Sequence, residues 1–208
     1  MRIAGVDGTK GGWVAVVLDG DELVGDHLLQ IECTFAELGD VEIVAIDVPI
    51  GYGPREADRA ARAYLHGSAS TVFTTPAREV LEQRFGPGLG TSAQAHALGP
   101  RIAHVTELAR SDRRLREVHP EVSFRAMNGG RRLRYRKKSA GGALERIALL
   151  RSQGIRLGEL TATGSAPLDD VLDAAAAAWS AHRIASGLAQ SLPSPPERVD
   201  GLDVAIWF

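Results

Sequence analysis

Apolar and polar positions at the start of the chain fall into short blocks. Ile3 to Val6 is an apolar run ending at Asp7, and Gly8-Thr9-Lys10-Gly11-Gly12 reads as a tight turn, since glycine reaches positive φ cheaply. Trp13 to Leu18 is β-branched and aromatic, Gly20-Asp21 marks another turn, and Glu22 to Ile31 completes a meander of three antiparallel strands. Thr34 to Leu38 suits a short helix capped by Thr34. Val41 to Val48 is nearly unbroken apolar sequence, the pattern of a parallel strand buried on both faces, and Pro49 and Gly51 stop it.

Helical spacing dominates from Pro54 to about Arg116. It predicts a helix over Arg55 to Leu65, another from Thr75-Pro76, and one from Ser92 to Ala109, with Gly/Ser/Thr/Pro-rich loops at 66–75 and 86–91. Glu117 to Phe124 returns to strand chemistry, with a bend at His119-Pro120. Ser139 to Ser152 carries an apolar stripe, and an alanine-rich helix runs from about Pro167 to Ser186, with Gly187 just past its end. Pro193, Pro195 and Pro196 read as a stiff linker before a last strand, Asp203 to Phe208. The pattern predicts one α/β domain over 1–208: a five-stranded mixed sheet, three antiparallel strands then parallel ones, flanked by helices, with 54–116 as a helical insertion.

Composition adds an address and a charge asymmetry. The single cysteine, Cys33, excludes internal disulfides and cysteine-rich zinc sites. The start lacks a secretion signal and no run of about 18 apolar residues occurs, so a cytoplasmic location and no membrane are expected. Net charge is −2, yet residues 101–156 hold 15 Lys/Arg against 5 Asp/Glu while 1–100 hold 7 against 14. The densest run is Arg131, Arg132, Arg134, Arg136, Lys137 and Lys138, which would attract phosphates or stand as a solvated basic rim.

The carboxylates carry the chemistry. Asp7, followed by Gly8, reads equally as a turn former or a site residue. Asp47 lies within an apolar run, where an unpaired carboxylate costs several kcal/mol, so it needs a partner or a cation. Asp169 and Asp170 suit the first turn of the last helix through its dipole, but Asp173 shares their face, and acids clustered there repel unless a cation is present. Oxygen ligands suit Mg²⁺ or Mn²⁺, and two ions about 4 Å apart would serve phosphodiester hydrolysis. Glu117, His119 and Glu121 alternate on the expected fifth strand: a solvent face, or a site in which His119 orients a phosphate or moves a proton. The other histidines show no ligand spacing.

At these residues the sequence resembles the DUF429 family, through GVDGTKGGW (5–13), AIDVPIG (45–51), READRAARAYL (55–65), STVFTTP (70–76), EVHPEVSF (117–124), MNGG (127–130), KKSAGG (137–142) and DDVLDAAAAAW (169–179). Members are described as predicted ribonuclease H-like nucleases, so the resemblance implies that fold with an inserted helical segment. By similarity to the wider superfamily, which includes Holliday-junction resolvases, it makes Asp7 and Asp47 the first- and fourth-strand acids and Asp170 and Asp173 the closing pair. Resolvases often carry glutamate where Asp47 stands.

The leading expectation is therefore a metal-dependent nuclease. Asp7, Asp47, Asp170 and Asp173 would hold Mg²⁺ or Mn²⁺, Glu121 and His119 would assist, and Lys10, Arg131, Arg132, Arg136, Lys137 and Lys138 would grip nucleic acid. A phosphotransferase or nucleotide hydrolase is the alternative, because Asp7-Gly8-Thr9-Lys10-Gly11 resembles the phosphate-binding hairpin of sugar kinases and actin-like ATPases. Those enzymes pair two such cores, so this reading requires a homodimer. A non-catalytic module with a metal or ligand site is the third reading; with eleven aromatic residues, base-stacking platforms are scarce.

Overall fold

The structure, a computed structural model, describes the chain except residues 20–23, 32–34 and 158–165, together with the side chains of 24–31 and 35–36. The expected cap at Thr34 lies outside the described residues; a 3-10 turn spans Phe35–Leu38.

The first half of the sheet follows the hydrophobic pattern. Strands β1 (Arg2–Thr9), β2 (Gly12–Asp19) and β3 (Val24–Ile31) form an antiparallel meander, and β4 (Ile43–Ile46) pairs with β1 in parallel. The next element is α1 (Glu56–Tyr64), then α2 (Arg78–Leu81), α3 (Ala93–Ala97) and α4 (Gly99–Ser111). The single helix expected over Ser92 to Ala109 is two, meeting at Leu98, with Pro100 in the first turn of α4. A proline there loses no helical hydrogen bond, whereas inside a continuous helix it would.

The chain then returns to the sheet in β5 (Leu115–Glu117), parallel to β4. This strand stops before His119, correcting the longer one expected: Pro120 opens α5 (Pro120–Met127), because its fixed φ and missing N–H suit a first helical position. Helix α6 (Ala140–Ser152) starts at a Ser139 cap, and β6 (Arg156–Leu157) pairs in parallel with β3. Among the described residues the sheet thus has six strands rather than five, in the order β5-β4-β1-β2-β3-β6. After α7 (Leu168–Ala185), strands β7 (Ser191–Val199) and β8 (Leu202–Trp207) form a separate hairpin. The expected proline linker is therefore a strand. Pro193, Pro195 and Pro196 sit where the register shifts between Leu192 and Glu197, which spares the ladder the donors prolines lack.

Side-chain alternation divides the core. Ile3 on β1, Val14, Val16 and Leu18 on β2 and Ala45 on β4 face α7; Ala4, Val6, Trp13, Ala15, Val17, Val44 and Ile46 face the other way, with Ile102 and Val105 of α4. Helix α7 lies on β1 so closely that a Cβ on Gly5 would stand 2.0 Å from Ala178 N and 2.2 Å from Ala174 O. Only glycine opposite an alanine stripe permits that approach. Among the described residues, no helix is long and apolar enough to cross a membrane.

Candidate functional site: an acidic cleft

The same alternation fixes where the acids go. Asp7 follows Ile3 and Gly5 at two-residue steps, so it faces α7. Asp47 sits just past β4, two residues after Ala45, and its N–H donates to Val6 O (3.0 Å), carrying the β1–β4 ladder one step further. Both carboxylates thus leave the carboxyl ends of adjacent parallel strands on one face. Asp173 of α7 meets them there, one residue before the Ala174 that rests on Gly5. One oxygen from each of Asp7, Asp47 and Asp173 lies within 4.8 Å of the others.

The cluster is short of positive charge. Asp7 and Asp173 are buried, 8% and 2% exposed. Burial, then the neighbouring Asp47 and Asp173, holds the Asp7 carboxyl well above the usual range, against the pull of Lys137. Burial raises Asp47 to about 7, with Lys137 opposing and Glu117 and Glu121 adding to the rise. Asp173 is likewise raised to about 7 by burial, opposed by Lys137 and reinforced by Asp47. Lys137 Nζ donates to Asp173 Oδ2, and although burial disfavours its charge, Asp173, Asp47 and Asp7 together hold it above the usual lysine range. Asp7 accepts the Gly8 N–H at 2.7 Å. Asp173 Oδ1 is buried without any hydrogen-bond partner among the described residues.

These acids form the floor of a cleft of about 590 Å³. Asp170 lines it but lies outside the close triplet. Glu121 and His119 line it too, from the start of α5 rather than from a strand. Glu121 is paired with Arg146, a residue 2% exposed. His119 Nε2 lies 3.3 Å from Thr71 O, its Nδ1 is buried without a partner among the described residues, and burial lowers its pKa, favouring neutral imidazole.

The basic segment divides. Arg132, Arg136 and Lys137 line the cleft, whereas Lys10, Arg131 and Lys138 are exposed and outside its lining; Lys138 reaches Asp169 at 4.0 Å.

Glu117, weighed between a solvent face and a site, is buried, and the cleft residues Arg55, Asp58 and Arg101 carried no expectation from sequence. Glu117 accepts from Ile50 N (2.7 Å) and from both terminal nitrogens of Arg55 (2.6 and 2.8 Å), and Arg55 also binds Asp58 and donates to Ile50 O. Asp58 in turn accepts Thr75 N–H at 2.7 Å. This buried network makes Glu117 a wall of the cleft rather than a free acid. Its pKa is raised by burial and pulled back by Arg55. Arg101 of α4 lines the cleft beside Gly8, stacked 5.1 Å from the Trp13 ring and donating to Thr9 O. Arg55 and Asp58 stand three apart on one helix face, a visible pairing signal; Arg101 carries none.

Comparison with curated proteins and with solved structures yields no match. The family model described as a protein of unknown function, DUF429, matches residues 5–198, nearly the whole length, and the chain belongs to that DUF429 family.

Proposed function

We propose that the protein is a metal-dependent nuclease that hydrolyses phosphodiester bonds in the acidic cleft. The observation that carries this reading is the triplet Asp7, Asp47 and Asp173, three carboxylates drawn together from distant chain positions with one buried oxygen left unpartnered. Such a cluster holds together either by keeping protons or by taking a cation, and a cation is what lets the three carboxylates ionise side by side. The donor set fits: hard carboxylate oxygens, with Asp173 Oδ1 unpartnered among the described residues, are what Mg²⁺ or Mn²⁺ takes.

Asp7, Asp47 and Asp173 would hold the metal, and Asp170 adds a further carboxylate to the cleft lining. Bound there, such an ion supplies an activated water and stabilises the leaving oxygen. The chain's own residues do the rest. Arg101, Arg132 and Arg136 bring positive charge to the lining for the phosphate backbone. His119, favoured in its neutral form, offers an unpartnered ring nitrogen for a proton or a phosphate oxygen. The strand order, with an antiparallel meander β1–β3 and parallel β4 and β5, supports the ribonuclease H-like reading of one domain with 54–116 inserted.

The test is cleavage of single-stranded and duplex DNA and RNA with Mg²⁺ or Mn²⁺. Loss of a metal ligand removes several kcal/mol of transition-state stabilisation, so Asp47→Asn should cut the rate by about 10²-fold or more. An Asp47→Asn protein as active as wild type overturns the proposal.

A further inference from the structure

We propose that Lys137 takes the place of a second cation in the acidic site, so that the site accepts one divalent ion per chain. This rests on the metal-site reading above and deepens it, against the two ions expected from sequence.

The lysine is delivered by construction. The loop that carries it is tied to α6: Glu145 accepts the backbone N–H of Arg134 (2.9 Å) and of Tyr135 (3.1 Å), and the Ser139 hydroxyl donates to Arg136 O (2.8 Å). Helix α6 comes so near that a Cβ on Gly142 would stand 2.0 Å from Arg136 O. The next residue, Lys137, then donates to Asp173 Oδ2. Lys138, by contrast, is exposed beside Asp169.

Of the neighbouring acids, Glu121 pairs with Arg146, Glu117 shares Arg55 with Asp58, and Asp170 lines the cleft outside the triplet. Three carboxylates facing one ammonium retain two negative charges, which one divalent ion neutralises. Asp173 is divided in the same way: Oδ2 serves Lys137, and Oδ1, buried and without a partner, remains for the ion. A lysine held there also gives the phosphate a fixed donor where a second ion would otherwise stand.

The test counts ions on the full-length chain, using Mn²⁺ alone, by the free-Mn²⁺ electron paramagnetic resonance signal and by calorimetry near neutral pH. Wild type and Lys137→Arg should each bind one Mn²⁺ at the site, and Lys137→Met two. Thermal melting shows whether the Met variant is folded, and the wild-type count decides even if it is not. Two Mn²⁺ in wild type, or one in a folded Lys137→Met protein, overturns the proposal and leaves the nuclease reading standing. No Mn²⁺ in wild type overturns both. One Mn²⁺ without cleavage of any substrate supports the role of Lys137 and defeats the nuclease reading.

Discussion

Asp47 and Glu117 are carboxylates at the ends of adjacent parallel strands, yet they have opposite fates. Glu117 is consumed by Arg55 and the Ile50 amide, while Asp47 faces Asp7 and Asp173 with Lys137 opposing their charge. Asp47 was readable because it interrupts an apolar run; the Arg55–Glu117 pair was not, since its members stand 62 positions apart. Asp170 and Asp173 looked alike on a helical wheel, and only the approach of α7 to β1 separates the one in the triplet from the one at the wall. Removing Arg55 leaves Glu117 and Asp58 buried without their cation, and breaking such a buried pair costs about 3–5 kcal/mol. Arg55→Met should therefore lose about that much stability in urea unfolding. An unchanged midpoint would show that the network does not hold the cleft wall.

Among the elements, α7 decides the site. Its alanine stripe on Gly5 sets the depth at which Asp173 meets Asp7. Adding a methyl against backbone atoms is overpacking with no flexible neighbour to yield, worth about 3 kcal/mol or more. Gly5→Ala should lower the melting temperature and weaken Mn²⁺ binding together; normal melting with normal Mn²⁺ affinity would refute this account of the contact. Strands β1, β2 and β4 were legible because their apolar and β-branched runs mark strands buried on both faces. The last strand was legible too, but the extent of β5 and the presence of β7 were not, for proline cuts both ways: Pro120 starts a helix, while Pro193, Pro195 and Pro196 are absorbed by a register shift. The hairpin also shields the β5 edge through the Val118–Trp207 bridge, which no local pattern announces.

For the whole molecule, the raised carboxyls link folding to pH. Unfolded, Asp47 and Asp173 release protons near their ordinary 3.8; folded, they keep them to about 7, and Asp7 shifts the same way. Between those values the folded chain binds more protons, so its stability falls as pH rises. His119, lowered by burial, works against this trend below its ordinary 6.5, one group against the three aspartates and the raised Glu117. Without divalent ions, the melting temperature should drop from pH 5 to pH 8, and Mg²⁺ should restore it at pH 8 but hardly at pH 5. A melting temperature that climbs over this interval would count against the acidic triplet. One consequence follows from where α7 lies in the chain. A polypeptide emerging from the ribosome makes β1, β2 and β4 early, but their α7-facing side stays bare until Leu168–Ala185 arrives. A growing chain that stops short of that helix holds Asp7 and Asp47 without Asp173. The acids converge only as the sheet is covered, so a half-made molecule carries no assembled acidic triplet.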